Sequence, residues 1–391
     1  MNRNAFKQSA KKLIGPLYRK AREALPAPVR NEVFGYWEYH RTRHGQSPYW
    51  ERREQPDATR RLVRLGFVGA GRYAQNHLKV LAQLDRVELS ALLTTGGPRG
   101  QAAAREFGFK RTFTDADAFF AQSDLDAFVV VVPPEFLKGL ALRGLATGKP
   151  VLLEKPPGVT AADAAELTLC AQAHGTFGMV CMNRRFFSVL EHGLAHLASC
   201  GPIRAMTVEI PQQVTRDRQS GRVSAFDHEH YFMRMSIHGV DLVRYVLGEP
   251  LSVHAVAHPN REGHNASATF ATVLEFPGNA VATITDAWDT PHVWRIKITA
   301  EQGWVELEPL EHGFIATARP ELHGGVQKTA LRPDPVDVEF REGVYAQDLA
   351  FVEAVRAKTP PTLPACTLED AHQTMLLMER ILHPSNSSHS K

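Results

Sequence analysis

The chain is poor in cysteine. Its four, Cys170, Cys181, Cys200 and Cys366, lie far apart and form no Cys-x-x-Cys pair. That excludes a disulfide framework and a thiolate zinc site, and points to free thiols in a reducing compartment. Long apolar runs are missing too: none approaches the ~20 residues of a membrane-spanning helix. The N-terminus has neither the apolar core nor the small-residue cleavage site of a secretory signal, and Arg52-Arg53 and Arg60-Arg61 precede no export-type segment. The expected compartment is the cytoplasm. Basic surplus is absent from the bulk of the chain: residues 1–61 hold 14 Lys/Arg against six Asp/Glu, and the remainder holds 31 against 36. On charge grounds the main body is not a nucleic-acid binder. No internal repeat is visible.

What is present describes an ordinary globular protein, with 391 residues, 43% hydrophobic and 22% charged, enough for two domains and an appendage. The organising stretch is Leu62 to Leu78, in which an apolar, β-branched run ends in Gly69-Ala70-Gly71-Arg72-Tyr73-Ala74 and passes into helix-favouring residues. Gly69 allows a tight turn and Gly71 lets a pyrophosphate approach the backbone. Ala74, in place of a third glycine, is small enough for close helix–strand packing. The helix N-terminus then offers free N–H groups to phosphates. A second strand, Val87–Leu93, runs into Thr94-Thr95-Gly96-Gly97-Pro98-Arg99, with no acid to hold a ribose 2′-hydroxyl. Thr94, Thr95 and Arg99 could accept a 2′-phosphate, a slight lean to NADP over NAD; an ordinary polar turn is the alternative. Helices follow at 101–108 and Asp115–Gln122, then the buried strand Leu125–Val132 ending at Pro133-Pro134, and the helix Phe136–Thr147. The strand Pro150–Leu153 ends in Glu154-Lys155-Pro156-Pro157. Ligands in open parallel sheets sit beyond the strand C-termini, so these four loops are expected to line one crevice.

Past the helix Ala161–Ala173 and the strand Thr176–Met182 the pattern changes. Alternating strands at Leu251–Ala257, Ala268–Phe276, Ala280–Ala287, Val293–Ala300 and Trp304–Glu308 are joined by tight turns, the signature of a mostly antiparallel sheet. Helices Asp348–Ala357 and Leu368–Leu382 close the chain before a polar tail. The expected domains are a basic arm at 1–61, a nucleotide-binding domain at 62–182, a substrate and dimerisation domain at 183–382, and a tail at 383–391. The arm carries Phe6, Leu13, Leu17 and Tyr18 at helical spacing among lysines and arginines. Packing on its own body or a sister subunit, a solvated tail, and peripheral docking on an anionic membrane or partner remain open for it.

Four motifs occur in order: Gly69 to His77, Glu154-Lys155-Pro156, Asn183-Arg184-Arg185-Phe186 and Ile237-His238-Gly239-Val240-Asp241-Leu242. Over roughly residues 62–382 the chain resembles the glucose–fructose oxidoreductase, inositol dehydrogenase and rhizopine catabolism family (Gfo/Idh/MocA). The resemblance implies an α/β protein with an N-terminal Rossmann domain and a C-terminal α+β domain whose open, mostly antiparallel sheet builds a homo-oligomer, dimer or tetramer. It also implies hydride transfer between a nicotinamide cofactor and a hydroxyl-bearing carbon of a sugar, inositol or nucleotide sugar. Many members place an Asp four residues before the Ile-His histidine, where this chain has Arg234; a related subgroup has Glu three before, here Met235. A histidine usual near the position of Lys138 is also absent.

The candidate catalytic groups are Lys155, able to stabilise developing alkoxide charge, and His238, whose unperturbed pKa lies near neutrality. Cofactor binding is expected from Gly69, Gly71, Arg72, Tyr73, Ala74, Thr94, Arg99, Pro133, Glu154 and Lys155. Substrate binding is expected from Arg184, Arg185, His230, Tyr231, Arg234 and Asp241, the arginines as bidentate partners of a carboxylate or phosphate. Arg234 beside Lys155 makes the pocket cationic, so an anionic substrate is expected, such as a uronic acid or sugar nucleotide. Asp227-His228-Glu229-His230 has spacing that suits no zinc site, and no metal is expected. Three functions stay open: a dehydrogenase with net turnover; a tightly held NAD used transiently for epimerisation, elimination or glycoside cleavage; and a non-catalytic member that binds nucleotide or sugar.

Overall fold

A computed structural model describes residues 59–219, 224–259, 267–290, 293–319 and 325–384. The expectations for the basic arm before Thr59, for the His228 side chain and for the tail at 385–391 lie outside the described residues. The first half alternates strand and helix: β1 Val63–Val68, α1 Ala74–Leu81, β2 Val87–Leu93, α2 Pro98–Glu106, β3 Arg111–Phe113, α3 Ala116–Phe120, β4 Ala127–Val130, α4 Pro134–Leu145, β5 Val151–Leu153, α5 Ala161–Ala173 and β6 Gly178–Val180. These strands pair in parallel in the order β6-β5-β4-β1-β2-β3. Their C-terminal ends therefore share one edge.

Both faces of this sheet are covered, as continuous apolar strands require. Val63, Leu65 and Phe67 of β1 pack with Leu78 and Leu81 of α1, all fully buried, each side chain contributing about 1.5–3 kcal/mol. The opposite face carries Val68, Phe128 and Val130 against Leu137 and Leu145 of α4 and Leu167 of α5. Several helices are capped by their own sequence. Thr160 and Asp163 form a reciprocal capping box on α5, and Asp115 accepts from two backbone N–H groups of α3. By contrast α1 and α2 have neither a side-chain cap nor an acid in the first turn. Their N-termini open at the crevice.

The second half begins with a 3₁₀ turn at Asn183–Phe186 and α6 Ser188–Leu197, then β7 Ile203–Gln212. Short helices α7 Val214–Gln219, α8 Ala225–Glu229 and α9 Tyr231–Met235 lead to α10 Ile237–Leu247. After these come β8 Ser252–Pro259, β9 Ser267–Phe276, β10 Ala280–Trp288, β11 Arg295–Ala300, β12 Gly303–Leu307, β13 Gly313–Arg319 and β14 Gly325–Leu331. They form an eight-stranded sheet in the order β14-β13-β12-β11-β7-β10-β9-β8. It is antiparallel except where β7 meets β10. One face is buried, with Met206, Val208 and Ile210 of β7 and Ile296 and Ile298 of β11 inside; the other exposes Val256, Val273 and Val281.

The strand β7 at the centre of that sheet, and its rim strands β13 and β14, are absent from the sequence expectations. The chain ends by returning to the first sheet, through α11 Pro335–Glu339, α12 Val344–Ala357, β15 Cys366–Thr367 and α13 Leu368–Leu382. Strand β15 pairs antiparallel with β6, α12 packs on α1 and α13 packs on α5. The closing elements are thus structural members of the nucleotide-binding half as well.

Candidate active site

The glycine turn is built as the sequence suggests. Gly69 has φ +109°, and a Cβ there would lie 2.1 Å from the Val131 carbonyl oxygen, so only glycine fits. A Cβ on Gly71 would meet nothing within 4 Å, which leaves open ground above the turn where a phosphate can approach. Ala74 is fully buried against the sheet. Arg72 is exposed and Tyr73 half-buried. The Tyr73 phenol is pushed up by burial and by Glu154. With the uncapped start of α1, this arrangement fits a dinucleotide pyrophosphate. The Thr94 hydroxyl accepts the Gly96 N–H at 3.2 Å. Arg99 is exposed and makes no ion pair among the described residues, and Pro133 is exposed at the start of α4.

Beneath the crevice lies a buried charge relay that sequence reasoning missed. His77, on α1, is fully buried, with Nδ1 2.9 and 3.0 Å from the two Asp348 oxygens and Nε2 3.0 Å from Glu154 Oε1. Burial opposes its charge, but the two carboxylates outweigh that and hold its pKa at about 10. His77 is therefore an imidazolium that donates to both acids. The second Glu154 oxygen accepts the Lys155 backbone N–H at 3.1 Å. His77 ends the motif that begins at Gly69, a signal in the sequence; Asp348, on α12, gave none. His77, Glu154 and Cys181 also lie within metal-ligand distance of one another. They do not suit a metal, because both imidazole nitrogens are occupied and burial holds the thiol well above its ordinary pKa.

The structure brings Lys155, His238, Arg184 and Arg341 into mutual electrostatic reach. The Lys155 ammonium donates to the Arg234 carbonyl at 2.8 Å. Burial lowers its pKa to about 8, with Glu154 opposing and Arg234, Arg184 and Arg341 adding to the depression. His238 is buried and its Nδ1 has no hydrogen-bond partner among the described residues. Burial, then Arg184, Lys155 and Arg341, hold it well below 6.5, so the ring is neutral at physiological pH. The Arg184 guanidinium lies 3.6 Å over the Trp294 ring and its Nη1 is buried without a partner. Arg341, also missed in the sequence, stands 5.1 Å over the Tyr73 ring. It is held there by Gly343, whose φ of +70° and contact with the Asn183 carbonyl exclude a side chain, and by Asn183 donating to the Glu342 carbonyl at 2.8 Å.

Three expected substrate residues are corrected. Arg185 is fully buried and already paired, with Nε and Nη2 on Asp241 at 2.8 and 2.6 Å and Nη1 on Asp370 at 2.6 Å. That assignment removes Asp241 as well, because its oxygens serve Arg185 and Thr374. The two residues tie the 3₁₀ turn to α10 and α13. Tyr231 is 1% exposed, donates to Asp217 at 3.2 Å and packs edge-on to Trp288. It belongs to the core. His230 lies against Phe226, with Nδ1 2.9 Å from the Phe226 carbonyl. Arg234 forms an ion pair with Asp227 at 3.2 Å.

The parallel sheet and the glycine turn define a dinucleotide-binding domain, and in the relatives given next such a domain serves nicotinamide-dependent oxidoreductases of CH–OH groups. The comparisons agree: residues 63–181 match the oxidoreductase family with an NAD-binding Rossmann fold, and residues 198–306 match the Gfo/Idh/MocA C-terminal domain. The chain belongs to the Gfo/Idh/MocA family. It is 22% identical over 319 residues to a 4-carboxy-2-hydroxymuconate-6-semialdehyde dehydrogenase of Sphingobium, covering 80% of this chain and 96% of that one. It is 27% identical over 308 residues to inositol 2-dehydrogenase 1 of Saccharopolyspora erythraea, covering 75% and 86%. The WlbA dehydrogenase of Bordetella pertussis, solved with NADH and UDP-GlcNAcA, superposes with a TM-score of 0.67 at 22% identity, covering 82% and 94%. Among the described residues no helix is long and apolar enough to cross a membrane.

Proposed function

We propose that the protein transfers a hydride between nicotinamide and a hydroxyl or keto carbon of a sugar, sugar acid or nucleotide sugar, with Lys155 and His238 sharing the proton work. The observation that carries this reading is a neutral, buried His238 with an unpartnered Nδ1 beside a Lys155 of lowered basicity. The bound cofactor supplies the hydride acceptor or donor. The Lys155 ammonium hydrogen-bonds the reacting oxygen and stabilises negative charge developing there, and His238 takes the hydroxyl proton. Glu154, fixed by His77 and Asp348, keeps Lys155 at the strand end. Arg234 occupies the place of the usual acid without replacing its chemistry: its carbonyl orients Lys155 while its guanidinium pairs with Asp227.

Cofactor contacts are assigned to the glycine turn, to Glu154 and to Pro133, with Thr94 and Arg99 as the basis for a lean to NADP. The open sheet face is assigned to a homo-oligomer, a dimer or tetramer. The test is to denature the purified protein and identify any released dinucleotide by mass spectrometry, then titrate the stripped protein with NADH and NADPH. Binding of one reduced cofactor supports the reading, and a preference for NADPH that Arg99→Ala abolishes supports the 2′-phosphate contact. No dinucleotide found and none bound refutes it.

A further inference from the structure

Lys155 and His238 account for the reacting hydroxyl but leave Arg184 without work. The contrast with its neighbours is sharp. Arg185 is saturated by Asp241 and Asp370, and Arg244 by Glu249, Asp370 and Thr374. Arg184 has no hydrogen-bond acceptor for its side chain among the described residues, although its Nη1 is buried. A buried, unfilled donor is costly, more so on a charged group. The guanidinium carbon sits over Trp294, 3.6 Å from the ring centroid, so the group is held in place before any ligand arrives.

Resting on the function proposed above, we propose that Arg184 on its Trp294 platform is a carboxylate subsite, and that the substrate is a sugar acid. The charge balance of the crevice favours an anion. Lys155, Arg184 and Arg341 face it, Arg234 is neutralised by Asp227, and Glu154 is committed to His77. A planar carboxylate matches the two-pronged geometry of a guanidinium. Glu311 and Glu342 also lie within electrostatic reach of Arg184. They oppose the higher charge of a diphosphate and leave room for a single one. Arg341 stands 5.1 Å over the ring of Tyr73, next to the glycine turn.

The experiment uses the full chain saturated with NADH. Failure to bind NADH would refute the oxidoreductase reading itself, before the subsite is addressed. The loaded protein is then titrated calorimetrically with matched pairs, glucuronate against glucose, galacturonate against galactose and gluconate against glucitol, and with UDP, while tryptophan fluorescence reports on Trp294. At least one acid is expected to bind tenfold or more tighter than its neutral partner. Arg184→Gln should erase that preference and leave NADH affinity within twofold, Arg184→Lys should retain part of it, and Trp294→Leu should weaken it. The proposal is overturned if neutral sugars bind as well as their acids, if no acid binds, or if UDP outcompetes every acid. It is also overturned if Arg184→Gln keeps the preference or weakens NADH binding equally, or if neither Arg184→Gln nor Arg184→Lys folds, since Arg184 would then be structural.

Discussion

Replacing His77 by Gln removes the one cation between two buried carboxylates, and its effect on stability has a defined pH dependence. The folded pKa of about 10 stands above the ordinary 6.5. At about 1.4 kcal/mol per unit, that shift is worth about 5 kcal/mol at most. Breaking a buried ion pair generally costs about 3–5 kcal/mol. Because the folded pKa is raised, the contribution is fully present below pH 6.5. It falls by up to about 1.4 kcal/mol per pH unit above that, and is gone once the pH passes about 10. Asp348 is raised too, by burial, with His77 opposing that rise. Urea unfolding of wild type and His77→Gln at pH 7, 8 and 9, followed by circular dichroism, should show a gap of about 3–4 kcal/mol at pH 7 that narrows steadily. A gap under about 1 kcal/mol at pH 7, or one that stays constant with pH, would refute an imidazolium clamped between acids.

Lys155→Met should slow hydride transfer by about 10²–10⁴-fold while NADH affinity changes little, as single-turnover absorbance and fluorescence titration would show. With His238 held well below 6.5 and Lys155 at about 8, kcat/KM for alcohol oxidation should stay flat through pH 6 and fall above about pH 8. An acidic limb near 6.5 that disappears in His238→Asn would contradict the neutral imidazole. Gly69→Ala forces a Cβ into the Val131 carbonyl at a strained φ, and should cost about 1–3 kcal/mol or more in a thermal melt and abolish dinucleotide binding. Arg185→Met leaves Asp241 buried without its cation and should lose about 3–5 kcal/mol, whereas Arg184→Gln should leave the melting temperature near wild type.

Much of the nucleotide-binding half was legible because its signals are local. The helices Ala161–Ala173 and Leu368–Leu382 fall where apolar spacing and caps place them. Strand β7 alternates Met206, Val208 and Ile210 with Ala205, Thr207 and Glu209, so its pattern was readable though unexpected. The rim strand β14 has a single buried residue, Leu331, and no alternation to read. In the site, motifs located Lys155 and His238 but could not separate Arg184 from Arg185. Adjacent arginines on a 3₁₀ turn point in different directions, and only the fold shows that one meets Asp241 and the other Trp294. Asp348 reaches His77, and Arg341 reaches Tyr73, across more than two hundred residues of chain, and no spacing rule spans that separation.

Strand β15 and Asp348 also carry a consequence for biosynthesis. A polypeptide emerges from the ribosome N-terminus first, and domains generally condense in that order. Here the edge strand of the first sheet and a counter-charge for the helix behind its glycine turn are made after the whole second sheet, at Cys366–Thr367 and Asp348. A nascent chain that has already extruded both halves still holds a His77 with Glu154 but no second carboxylate, and an open edge on β6. The dinucleotide site thus matures only after Asp348 and Thr367 have been made, and a message truncated before Val344 encodes a glycine turn with no finished domain around it.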